Sequence, residues 1–199
     1  MLFLESSPIF ATILAMNPLY IALAVLGVLA VWVIFAYNSF VRLVNRTQEA
    51  WADIDVQLKR RYDLIPNLVN MVKGYMQHEK QVFERVTELR TRAMQATGLE
   101  ERAQTENMLT DALKSLFAVS ANYPDLKANT NFLELQREVA DTENKIQAAR
   151  RFYNTNVRDL NIALESFPQN FIGNMFNFKR REFFEVEEAG ERGPVAVTF

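Results

Sequence analysis

A single histidine, His78, stands in the 199 residues, so the search for chemistry starts there. A metal site takes three or four ligands, and neither a second histidine nor any cysteine is present to complete a set. A carboxylate di-iron centre would be marked by Glu-x-x-His pairs, and none occurs. A nucleophilic triad would have only His78 as its base, and no serine stands in a strained elbow context. His78 therefore reads as a surface or hydrogen-bonded side chain on the second helix of the soluble part. The lack of cysteine also excludes disulfides, thiol catalysis and iron–sulfur or zinc–thiolate sites.

The carboxylates give no better active site. Asp53 and Asp55 flank Ile54, and residues two apart on a helix do not share a face, so they are poorly placed as an acid/base pair. They are expected to pair with basic residues of a neighbouring helix. Lys59, Arg60 and Arg61 are candidate partners, or else contacts to a next subunit. The clusters Lys59–Arg61, Arg150-Arg151 and Lys179–Arg181 are interspersed with acids, and the net charge is −2, which argues against nucleic acid. Arg61 lies ~30 Å along a straight helix from Val41, beyond the ~8 Å Debye length, so only Arg42 and Arg46 are near enough to act on lipid headgroups. Lys179–Arg181 return to the membrane only if an antiparallel bundle brings that end back.

Asn122, Tyr123, Asn129, Asn131, Asn154 and Asn156 form a polar set around a turn and the last long helix. Buried amides of this kind fix register and partner choice, or they line a ligand pocket. Tyr123 and Asn154 are taken from this set as interaction candidates, with Asp53, Asp55, Arg60 and Arg61. No catalytic, metal-binding or cofactor-binding residue is expected, and no cofactor: the chain does not read as an enzyme.

The elements that hold these residues begin with a membrane segment. No charged residue occurs from Ser6 to Val41, and 49% of the chain is apolar. Residues 19–41 read LYIALAVLGVLAVWVIFAYNSFV, roughly 34 Å of helix against a ~30 Å hydrocarbon core. A cleavable signal peptide fits less well, since no basic residue precedes the stretch and no A-x-A site follows. Arg42 and Arg46 lie just beyond it, with only Glu5 before it, so the positive-inside rule places a short N-terminus outside and the rest in the cytoplasm. Residues 1–18 are a short N-terminal segment, either an over-extended start before Met16 or a second apolar piece in the interface.

Residues 42–182 read as a cytoplasmic bundle. Phe40, Val44, Trp51, Ile54, Leu58 and Ile65 recur at helical steps, so the anchor helix is expected to continue out of the bilayer until Pro66 stops or redirects it. A second helix is expected over 65–96, with Gly74 inside it at a cost of ~1 kcal/mol and a close helix crossing there. A third covers about 99–121. The fourth carries Phe132, Leu135, Val139, Thr142, Ile146, Ala149, Tyr153, Asn156, Leu160 and Leu164 at alternating steps of three and four, a heptad seam. Pro168 closes it, and a short helix follows whose Phe171, Phe176 and Phe178 cap the core's open end. The fold class is all-α: an N-terminal transmembrane helix continuing into an antiparallel up-and-down bundle of four long helices plus a short C-terminal one.

AWADIDVQLKRRYDLIPNLVNMVKGYMQHE, from Ala50 to Glu79, resembles the signature of the LemA family of bacterial membrane proteins. NYPDLKANTNFLELQ, TENKIQAARRFYN, SFPQNFIG and the closing VTF are similar to further family blocks, so the resemblance covers about residues 37–199. It implies a membrane-anchored helical bundle and no particular activity. Some relatives are linked to membrane-compartment formation, and others occur beside membrane metalloproteases.

Residues 183–199 form an acidic linker and a β-prone tail. Val195, Val197 and Phe199 suit strand addition to a sheet edge, with the terminal carboxylate captured by backbone N–H groups; the alternative is a frayed end. The expected function is a membrane-anchored scaffold that self-associates, a homo-oligomer held in lipid through residues 19–41. The alternative is an adaptor or regulator of a membrane-bound protease or another membrane complex; an enzyme with an unrecognised site is the weakest reading.

Overall fold

The computed structural model describes residues 18–184. Six helices follow one another: α1 (Pro18–Lys73), α2 (Lys80–Gln95), α3 (Leu99–Ser120), α4 (Pro124–Ala128), α5 (Thr130–Glu165) and α6 (Gln169–Met175). The protein is all-α, with no strand among the described residues. The tail candidates Val195, Val197 and Phe199 lie outside them.

The first helix is longer than its sequence suggests. Pro66 does not stop it: α1 runs 56 residues, through Pro66, to Lys73. A proline inside a helix removes the N–H that would bond to the carbonyl four residues back, here Tyr62. That carbonyl instead accepts from Arg90 Nε at 2.7 Å, so a side chain of α2 replaces the missing donor. The chain reverses later, over Gly74–Glu79, where the Tyr75 and Met76 N–H groups both bond to Val72 O. Gly74 accordingly lies in the turn and not inside a helix, and His78 is exposed there.

Two packed pairs make the bundle. The first is α1 against α5, the most extensive contact between two helices; the second is α2 against α3. The heptad residues of α5 point inward: Phe132, Val139, Thr142, Ile146, Tyr153, Asn156 and Leu160 are buried. They meet Ala50, Ile54, Leu58, Ile65, Leu68 and Val72 of α1, with Val86 and Leu89 of α2 and Leu109, Leu113 and Leu116 of α3. Asn129 starts α5, its Oδ1 accepting from the N–H groups of Asn131 and Phe132 at 3.0 and 3.2 Å, a side-chain cap.

A second, smaller core lies at the anchor end. Ala36 and Phe40 of α1 pack against Leu160 of α5 and Ile172 of α6. Gly173 permits this approach, because a Cβ there would fall 2.7 Å from Leu164 Cδ2 and 3.4 Å from Phe40 Cζ. Phe178 stacks on Phe40 with ring centroids 5.0 Å apart, and Phe176 meets the Tyr37 ring edge-on at 4.8 Å. Of the three expected capping phenylalanines, Phe171 is exposed beside Phe167, and Phe176 keeps one side bare.

Candidate interaction site

Arg61 is the centre of the polar interior. Its side chain is fully buried, and the guanidinium pairs with Glu106 of α3 and, at 2.5 Å, with Glu143 of α5. Thr110 accepts from the same guanidinium at 2.8 Å. The second oxygen of Glu106 accepts from the Tyr62 hydroxyl. A buried charge is tolerated only when paired and hydrogen-bonded, and here two carboxylates from two helices pair with one arginine on a third. Burial, reinforced by the adjoining Glu106 carboxylate, pushes the Tyr62 phenol well above its ordinary pKa. Burial and the neighbouring Arg61 charge act on Arg150 in the opposite sense and lower its pKa.

Nearly three turns nearer the anchor, Trp51 lies beneath the Arg102 guanidinium, 5.2 Å from the ring centroid. Arg102 also pairs with Asp55, so this arginine links α3 to α1 by charge and by stacking. Beside them opens a groove of about 530 Å³, bounded by Thr47, Trp51, Gly98, Arg102, Tyr153 and the backbone around Arg181.

That last wall is an extended strap leading from α6 back along α5. The carboxamide of Asn161 donates to Arg181 O at 2.9 Å and accepts from Arg181 N at 3.0 Å. Asn154, seven residues earlier on the same helix face, does the same for Phe184, at 3.2 and 2.8 Å. Tyr153 adds a bond from its hydroxyl to Glu182 O at 3.1 Å. Two helical turns rise ~10 Å, the length of about three extended residues, so the two amides match the pitch of the strap. Phe184 is its buried plug, 4.7 Å beneath Arg150 and 5.8 Å from the Trp51 ring.

The residues singled out from sequence therefore have separate places. Asp55 takes a basic partner on a neighbouring helix, Arg102, as expected of that pair of carboxylates, whereas Asp53 is exposed. Arg61 makes its contacts inside the bundle; a fully buried side chain has no surface to offer a next subunit. Arg60 is exposed and lies 3.8 Å from Glu138. Tyr123 is half-buried at the start of α4. Asn154 holds the strap, and the remaining asparagines of the polar set do not converge with it on a pocket: Asn129 is a helix cap and Asn156 bonds to Phe152 O. Among the described residues no three metal-capable side chains cluster.

The LemA family model matches residues 50–199, three-quarters of the sequence. The chain belongs to the LemA family. Among curated proteins, magnetosome protein MamQ 2 of Paramagnetospirillum magneticum is 25% identical over 85% of this chain and 74% of its own length. Magnetosome protein MamQ of Magnetospirillum gryphiswaldense is 22% identical over 87% of this chain. Protein LemA of Metamycoplasma hominis is 24% identical over 76% of the chain and 69% of its own length. This LemA-family chain is a membrane-associated helical protein, with one helix long and apolar enough to cross a membrane.

Three residues that tie this LemA bundle together are hard to find in a linear reading. Glu106 and Glu143 look like ordinary surface acids until α3 and α5 are folded around Arg61. Asn161 carried a usable signal, its seven-residue spacing from Asn154, which marks one face of one helix.

Proposed function

We propose that this chain is a non-enzymatic scaffold that crosses the inner membrane once through residues 19–41 and packs side by side with further copies or membrane partners. The observation that carries the reading is α1, a single helix that is both the apolar segment and the spine of the bundle core. Anchor and bundle are then one rigid piece, as a load-bearing assembly requires. The buried ionisable groups support it too, since Arg61, Glu106 and Glu143 pair with one another inside the bundle, away from the groove. Relatives named as magnetosome proteins agree with an organising role at a membrane. Exposed Arg42 and Arg46 are the first charges after the apolar stretch and favour a cytoplasmic bundle with the N-terminus outside.

Detergent-extracted full-length protein is expected to run as a large homo-oligomer by light scattering. Reversal of Arg60 to glutamate is expected to reduce its size, because this residue is exposed and its reversal leaves the core intact. A monomer at every concentration would overturn the proposal. The groove beside Trp51 and Arg102 favours a second reading, an adaptor or regulator of a membrane-bound protease or other membrane complex. It requires a stoichiometric hetero-complex, recovered by cross-linking in intact cells, that the Trp51→Ala variant no longer forms.

A further inference from the structure

Residues 166–178 carry no charge, and their apolar side chains are bare: Phe167 is 79% exposed, Phe171 63%, Met175 69% and Phe176 46%. Isolated surface phenylalanines are ordinary, but a helix turn presenting four large apolar groups together marks a surface meant to be covered. Its position says by what. The opposite face of α6 packs Ile172 and Gly173 on Ala36 and Phe40 of α1, inside the uncharged stretch that ends at Val41. The patch is thus continuous with the flank of the apolar helix and lies at the same level.

The anchor leads to the same place. The bundle first covers α1 at Trp32 and Val33, inside the uncharged stretch. Residues 32–41 enter the hydrocarbon core only if the bundle end packed on them enters the membrane as well. The charges are ordered accordingly. Exposed Arg42 and Arg46 on α1 and Lys179, Arg180 and Arg181 after α6 follow the apolar zone on the bundle side. Glu165, the acid at that edge, is paired with Arg180 at 2.6 Å.

We propose that the turn at Phe167 and the helix Gln169–Met175 are embedded in the cytoplasm-facing leaflet of the bilayer that α1 crosses, giving the bundle a second membrane contact beside its anchor. The inference rests on α1 spanning the membrane. The bare face of α6 then meets acyl chains, and the basic residues after it meet anionic headgroups. Two contacts set the tilt of the bundle for a bilayer of given thickness, which one helix alone leaves free.

The chain has no cysteine, so single cysteines can carry nitroxide labels in the full-length protein. Phe171→Cys, Met175→Cys, Leu26→Cys and Lys114→Cys would be reconstituted in vesicles of mixed phosphatidylcholine and phosphatidylglycerol, all four being exposed positions whose change spares the core. Collision with oxygen against a water-soluble nickel chelate then reads depth. Labels at 171 and 175 are expected to favour oxygen several-fold, as at 26, while 114 favours the chelate. If 26 favours oxygen but 171 and 175 behave like 114, α1 spans without the turn beside it, and the proposal falls. If 26 also favours the chelate, the spanning reading falls with it.

Discussion

Arg61 shows what a single residue costs and contributes when placed in a bundle core. Removing one member of a buried, hydrogen-bonded ion pair leaves an uncompensated charge, a loss of ~3–5 kcal/mol. Glu106→Gln is expected to destabilise by about that much, measured by denaturant unfolding of the helix signal in detergent. Replacing the whole network together, Arg61→Met with Glu106→Leu, Glu143→Leu and Tyr62→Phe, should recover more than half of the loss, since apolar side chains of similar volume leave no group without its partner. Tyr62 adds a pH dependence. Its folded pKa, and that of Tyr153, is raised above the ordinary phenol value of 10.0, chiefly by burial. Above pH 10 the unfolded chain releases these protons while the folded one holds them, so stability is intact below pH 10 and falls as pH rises beyond it. Tyr62→Phe should be less stable near neutrality, where Glu106 loses a donor, yet decline less steeply between pH 10 and higher values. An equally steep decline would mean that other groups control the alkaline limb.

At the scale of elements, the bond from Arg90 to the Tyr62 carbonyl stands in for the N–H that Pro66 lacks. Arg90→Met should cost ~1.5–3 kcal/mol, as expected for a hydrogen bond from a charged donor. In a Pro66→Ala background the restored N–H reaches the Tyr62 carbonyl, and the same Arg90 change should cost measurably less; the double-mutant cycle gives the coupling. Strict additivity would mean that Arg90 does not compensate for the proline. This pair also explains which parts of the fold were legible in sequence. The heptad seam of α5 and the unbroken apolar run of α1 are local periodic patterns, and they placed those helices correctly. The turn at Gly74 was missed because the residue that carries α1 past Pro66 is on another helix, 24 positions further on. The interior role of Arg61 was hidden for the same reason: within Lys59-Arg60-Arg61 the three basic residues look alike, and only acids on α3 and α5 distinguish the third. Asn154 was flagged for its type, but what it holds is backbone, which leaves no mark in side-chain chemistry.

For the whole molecule, the consequence of α1 being one piece is mechanical. From Val41 to Lys73 the helix continues for 32 residues, an arm of ~48 Å beyond the apolar segment. An apolar helix adjusts to a thinner bilayer by leaning, and a lean of about 10° sweeps the far end of such an arm sideways by roughly 8 Å. The turn at Gly74–Glu79, with His78 on its outside, is the tip of that arm. A change of a few ångströms in lipid thickness would thus reach the tip as a displacement of nearly a helix diameter, enough to bring neighbouring tips together or draw them apart.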